Sequence, residues 1–178
     1  MTGRPERIFI TGFMCAGKTT VGAALARRLN CSMLDLDQFI AERMGRSIQA
    51  ILDEEGEARF RTVEERELRE ALEKSSARVI ALGGGTWVNA RNRALIARHK
   101  GFAVWLDAPF ELCWQRIACA GDTRPLARRR EQARRLYEAR RAIYELAPLR
   151  VPVVEEDSAA KIAEEIAGAL GQRSVEGA

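Results

Sequence analysis

An octapeptide near the start of the chain, Gly12-Phe13-Met14-Cys15-Ala16-Gly17-Lys18-Thr19, constrains the fold more than any other feature. It fits G-x-x-x-x-G-K-[ST] at every fixed position. It also stands where that pattern has mechanical meaning: after an apolar run at 7–11 (RIFIT), and before a helical pattern in which Val21, Leu25 and Leu29 recur at helix spacing. Glycines let such a loop curl until successive N–H groups point inward, and the following helix adds the positive end of its dipole. The product is a cradle for phosphate. In it Lys18 would reach the β- and γ-phosphates of a nucleotide, and the Thr19 hydroxyl would ligate Mg2+. Gly12, Cys15, Ala16, Gly17, Lys18, Thr19 and Thr20 are the expected nucleotide contacts, although Thr20 taken singly reads as an ordinary helix residue.

The sequence keeps alternating after the loop. Apolar runs at 32–36, 78–82, 102–106 and 151–154 read as strands. Helical patterns at 38–43, 47–74, 91–99, 110–119, 131–146 and 159–170 separate them, with breaks near Gly45 and Gly56. Strands that alternate with helices pair in parallel through right-handed crossovers. The expectation is a three-layer α/β fold with a central parallel five-stranded sheet, in one domain over 1–178, with a tail that frays from Gly171. The arginine-rich polar stretch at about 120–131 is the expected lid.

Composition narrows the function. No apolar run approaches the ~20 residues of a spanning helix, and the first residues lack the apolar stretch and cleavage site of a secretory leader. Cys15, Cys31, Cys113 and Cys119 form no C-x-x-C pair, and His99 is the only histidine, so free thiols in a reducing cytoplasm are expected rather than a zinc site. A net charge of +4 suits a nucleic-acid binder or an enzyme of anionic small molecules. The run Arg128-Arg129-Arg130 has only Tyr137 nearby, whereas single-strand binders interleave aromatics with their cations. The expected partners are therefore small molecules, with neither nucleic acid nor membrane, and the expected state is a monomer.

The loop alone does not fix the reaction. The guanine-reading N-K-x-D pattern of small GTPases does not occur in the sequence. Asp107, after the run FAVWL, stands where some ATPases keep a metal-binding acid. It precedes Ala108-Pro109 and a helix, and we expect it to cap that helix.

The remaining motifs, in their order, resemble those of shikimate kinases. After the P-loop come Asp35-Leu36-Asp37, Gly45-Arg46-Ser47-Ile48, then Gly56-Glu57-Ala58-Arg59-Phe60-Arg61 with Glu64. Gly83-Gly84-Gly85, Arg124-Pro125-Leu126 and Arg140, four residues ahead of Tyr144, follow. The resemblance runs from Ile8 to about Tyr144. It implies the fold of nucleoside-monophosphate kinases, with a substrate-binding helical region at about 37–74. It also implies transfer of the γ-phosphoryl of ATP to the 3-hydroxyl of shikimate, with Mg2+ as cofactor, in aromatic amino acid biosynthesis. Another small-metabolite kinase, such as a gluconate kinase, would keep the loop and lid but has less use for the other motifs together.

Residue chemistry agrees with these implied roles. Asp35 and Asp37 lie two apart at an expected strand end, on one face, beside the phosphate site. By resemblance Asp35 joins Thr19 in holding Mg2+, and Asp37 orients or deprotonates the attacking hydroxyl. Arg61 and Arg140 would grip the substrate carboxylate, which a guanidinium fork matches. Glu64, one helical turn on, would hold Arg61, or else form a plain surface pair with it. Gly83, Gly84 and Gly85 would be the backbone wall that meets shikimate. Arg124 would close over the phosphates as part of the lid, and Arg116 would stack on adenine. Lys18, Asp37 and Arg124 are the expected catalytic residues. The chain departs from the family's common pattern at Cys15, usually glycine or serine, at Leu52, often aromatic, and at Ala127, commonly leucine. The stretch 155–158 also lacks an adenine-side arginine that some relatives carry.

Overall fold

The computed structural model describes residues 6–119 and 129–175. Five strands alternate with helices: β1 (Arg7–Thr11), α1 (Lys18–Arg28), β2 (Met33–Asp35), α2 (Leu36–Met44), α3 (Ile48–Lys74), β3 (Val79–Ala81), α4 (Ala90–Arg98), β4 (Gly101–Asp107), α5 (Phe110–Cys119), α6 (Arg130–Tyr144), β5 (Leu149–Pro152) and α7 (Ala159–Val175). The strands form one sheet in the order β2-β3-β1-β4-β5, with every neighbouring pair parallel. Helices cover both faces, so the inner strands are apolar without alternation: Ile8, Phe9 and Ile10 of β1 and Val104 of β4 have no exposed surface.

Register does most of the work of placing a site. Asp35, Ala81, Ile10 and Val104 lie abreast across four strands. The chain therefore leaves β2, β3 and β1 at the same edge of the sheet. From β1 it passes to strands on one side and later to strands on the other, so a crevice opens at the carboxyl end of β1. The octapeptide loop occupies that end.

Helix boundaries follow local chemistry. Asp35, Ser47 and Asn89 each accept a backbone N–H in the first turn of α2, α3 and α4. Gly56 interrupts α3 with a non-helical φ of 80°, as its glycine suggested. Arg43 of α2 pairs with the buried Glu67 of α3, which ties the two helices together.

Three expectations are corrected. The last helix does not fray at Gly171; it runs to Val175, with Ile162, Ala163, Ile166 and Leu170 buried along one face. Strand β5 is Leu149–Pro152 rather than 151–154, because Leu149 and Arg150 already pair with Val104 and Trp105 and Pro152 closes the strand at the sheet edge. Asp107 meets arginines rather than helix N–H groups. Its nearly buried carboxylate accepts from Arg150 Nε at 2.8 Å and from Arg141 Nη2 at 3.3 Å. Both guanidiniums also lie over the Trp105 ring, at 5.6 Å for Arg141 and 5.2 Å for Arg150. One acid at the end of β4 thus ties α6 and β5 to the sheet. Replacing it by Asn should lower unfolding stability by about 1.5–3 kcal/mol, the range for hydrogen bonds to charged groups. Urea titration checks this, and an unchanged midpoint would contradict it.

Candidate active site

The loop between β1 and α1 is built for an anion. Gly17 precedes α1 with φ 98°, and no side chain caps the helix; its first turn carries no acid either. Its leading N–H groups are therefore left to an external acceptor. Gly12 has φ 140°, and a Cβ there would sit 2.7 Å from Leu106 O, so glycine lets the chain pass β4. Cys15 has φ 58°, a conformation in which glycine is more comfortable. Lys18 Nζ donates to Phe13 O at 2.8 Å, curling across the loop.

A cavity of about 450 Å³ opens above this loop, within the range of small-molecule sites. Cys15, Ala16, Gly17, Lys18, Thr19 and Thr20 line it, together with Asp35, Asp37 and Arg116. Gly12 does not; it acts one step back, through packing. Leu82, Val153, Ala159 and Ile162 give the cavity an apolar part, suited to a nucleobase. Arg116 Nη1 donates to Cys15 O at 3.2 Å, which holds the arginine at the cavity wall.

The two acids are arranged differently from the sequence expectation. Asp35 ends β2, but Asp37 lies in the first turn of α2, so strand geometry does not put them on one face. Asp35 bridges two elements: Oδ1 accepts Gln38 N at 3.1 Å, and Oδ2 accepts the Thr19 hydroxyl at 2.5 Å. A hydroxyl and a carboxylate side by side at a phosphate cradle fit Mg2+, which takes one or two carboxylates and completes its shell with phosphate oxygens and water.

Beyond β3, three successive glycines each face a different side chain. A Cβ on Gly83 would lie 2.6 Å from Asp37 Oδ1. One on Gly84 would lie 3.8 Å from Arg140 Nη1 and 3.4 Å from Met14 N of the phosphate loop. One on Gly85 would collide with Cζ and both Nη atoms of Arg61 at once, which places that residue over the flat of the guanidinium. None of the three has a positive φ. At Gly83 and Gly85 glycine therefore answers a need for space, not for backbone freedom, whereas a Cβ on Gly84 would make only ordinary contacts.

Buried hydrogen bonds fix this turn. Tyr144 hydroxyl donates to Gly84 O at 2.5 Å, and Arg140 Nη1 donates to the same oxygen at 3.3 Å. Trp87 Nε1 reaches Ile143 O at 3.1 Å. Burial pushes the Tyr144 phenol up to about 12, so it stays a donor throughout the neutral range. Glu64 is fully buried; Oε1 accepts from Thr86 Oγ1 at 2.7 Å and Oε2 from Arg61 Nη1 at 2.9 Å. Glu57 completes the pairing, accepting from Arg61 Nη2 at 2.9 Å. Burial acts to lower the Arg61 pKa, but Glu64 and Glu57 outweigh it and hold it above its ordinary value.

Comparison with known proteins points to one family. The family model for shikimate kinase matches residues 14–170. A shikimate kinase from Salinibacter ruber is 43% identical over 122 residues, which cover 68% of this chain and 59% of that protein. One from Aquifex aeolicus is 38% identical over 146 residues, 82% of this chain and 85% of that one. The solved shikimate kinase from Acinetobacter baumannii, in complex with shikimate, superposes with a TM-score of 0.87 at 32% identity, covering 96% and 95% of the two chains. The chain belongs to the shikimate kinase family. Shikimate kinases are ATP-dependent kinases that phosphorylate a hydroxyl of shikimate, and the P-loop kinase fold expected from the sequence is the one observed.

Of the residues the sequence reading singled out, Cys15, Ala16, Gly17, Lys18, Thr19, Thr20, Asp35, Asp37 and Arg116 share the cavity above the loop. Arg61 and Arg140 gather instead at the glycine turn, which joins the two groups through Gly83 and Gly84. Arg124 and most of the expected lid lie outside the described residues. The sequence reading missed Glu57, although its i,i+4 spacing from Arg61 is a standard pairing signal. It also missed the Tyr144 bond to the turn. Gly85→Ala should displace the Arg61 guanidinium and weaken shikimate binding by about 1.5–3 kcal/mol. Nucleotide binding should not change. Calorimetry with each ligand checks this, and unchanged shikimate affinity would show that the close approach has no consequence.

Proposed function

We propose that this chain transfers the γ-phosphoryl of ATP to the 3-hydroxyl of shikimate, giving 3-phosphoshikimate and ADP, with the residue roles derived below. The observation that carries the proposal is the glycine turn, where Asp37, Arg140 and Arg61 meet within reach of the phosphate loop. An acid for a hydroxyl and two cations for a carboxylate is the complement of a hydroxylated carboxylic acid.

Phosphoryl transfer is mostly positioning and electrostatics. The N–H groups of the loop and the uncapped start of α1 receive the phosphates, and Lys18 leaves Phe13 O to bridge the β- and γ-oxygens. Thr19 and Asp35 would hold Mg2+, which supplies charge neutralisation on the phosphate oxygens when bound. Arg116 lines the cavity together with its apolar part, and there it would stack on the nucleobase. Arg61 and Arg140 anchor the substrate carboxylate, which aims the far side of the ring at the cavity. Asp37, lining that cavity while touching Gly83, meets the attacking hydroxyl and takes or orients its proton. By the family resemblance, Arg124, outside the described residues, would offset the charge of the transferring group. The proposal further takes the chain as a monomer, with the helical segment 37–74 as the substrate side.

The two acids are separable by experiment. Asp37→Asn keeps size and hydrogen bonding but cannot accept a proton or carry charge. It should bind ATP·Mg2+ normally and lose most of kcat with shikimate, the mark of an interaction made in the transition state. Asp35→Asn should instead raise the Mg2+ concentration needed for half-maximal rate. Steady-state kinetics over a Mg2+ series checks both. Wild-type turnover in Asp37→Asn, with a raised Mg2+ requirement, would exchange the two roles.

A further inference from the structure

The surroundings of Arg61 contain one charge that the proposed reaction does not use. Gly85 lies over the flat of the guanidinium, and the Phe60 ring centroid is 5.1 Å from its Cζ. A ligand carboxylate must therefore approach along an edge, where the N–H donors point. Glu57 holds the side edge: Oε1 accepts from Nη2 at 2.9 Å and from Nε at 3.3 Å. Glu64 takes Nη1. Counted as carboxylates, the pair gives the trio a net charge of +1 − 2 = −1. An arriving anion would thus meet an Arg61 whose charge is already more than balanced.

The two glutamates differ in how firmly they are placed. The Glu64 side chain is 1% exposed and also receives the Thr86 hydroxyl, so it has nowhere else to go. The Glu57 side chain is 51% exposed and directly follows Gly56, the non-helical break in α3. An exposed pair of this kind is weak, because water solvates the released carboxylate well. Removing Glu64 from Arg61 would strand a buried charge, whereas removing Glu57 would not.

We propose that Glu57 is an internal rival of the substrate carboxylate for the side edge of Arg61, and so sets substrate affinity and favours an anionic substrate able to displace it. This rests on the reading of Arg61 as a carboxylate anchor. Glu57 is then a specificity-determining residue that touches the anchor and not the reacting atoms. It keeps the guanidinium oriented until a second carboxylate, gripped also by Arg140, takes over.

The test is calorimetric binding of shikimate and of its methyl ester to wild type, Glu57→Gln, Glu57→Ala and Arg61→Ala. Removing the rival charge should tighten shikimate by about two- to fivefold, the equivalent of an exposed ion pair. The ester, which cannot compete for the fork as an anion, should bind Glu57→Gln and wild type alike. Unchanged or weaker shikimate binding in both Glu57 variants would overturn the proposal. So would equal tightening of acid and ester, the sign of a general change in pocket shape. Arg61→Ala separates the two layers. If it weakens shikimate while the Glu57 variants do not tighten it, only the rivalry fails. If it leaves shikimate binding intact, the carboxylate reading of Arg61 fails and the rivalry falls with it.

Discussion

Asp37 of α2 and Arg61 of α3 close on the turn after β3 because Gly83 and Gly85 carry no side chains to hold them off, and Arg140 of α6 reaches the same turn by donating to Gly84 O. Such an arrangement demands rigidity from the turn itself, since backbone that packs against charged groups must not move. The bonds from Tyr144 and Arg140 to Gly84 O, and from Trp87 to Ile143 O, supply it. Asp107 extends the same constraint, because it pins α6, the helix that carries Arg140 and Tyr144, to the end of β4 through Arg141. A nearly buried carboxylate at the end of β4 thereby helps to place Arg140, the proposed substrate anchor.

The phosphate side is organised by the opposite device. Where the glycine turn is held by many bonds, the start of α1 is left open: no side chain caps it and no acid enters its first turn, although α2, α3 and α4 are all capped. Uncapped N–H groups carry a cost in water that a bound phosphate removes. Asp35 links the two halves, because one oxygen caps α2, which carries Asp37, and the other receives the Thr19 hydroxyl. The start of α1 and the helix that carries Asp37 are thus mechanically joined through a single carboxylate.

Sequence reveals these features unevenly, for physical reasons. The phosphate loop is legible because it is local: glycine positions, a lysine and a hydroxyl in one octapeptide between a strand and a helix. The break at Gly56 is legible for the same reason. The displacement of Asp37 from strand to helix was also written locally, since Asp35 followed three residues later by Gln38 is a helix-start pattern, and Gln38 N does bond Asp35 Oδ1. The partners of Asp107 were not legible, because Arg141 and Arg150 arrive from distant helix and strand positions that only the sheet register brings together. The glycine triplet announced a close approach but not what approaches. Three side chains from three helices fill that role, and no periodicity in the chain encodes their meeting.

The central claim is that Arg61 and Arg140 grip one carboxylate at the glycine turn. A double-mutant cycle on shikimate binding, with Arg61→Ala, Arg140→Ala and the double variant measured by calorimetry, tests it most directly. Two cations on one carboxylate should couple: the double variant should lose less affinity than the sum of the single losses, by more than the ~0.5 kcal/mol within which independent sites add. Losses that add within that margin would mean that the two arginines serve separate groups, and the account of the site would be wrong.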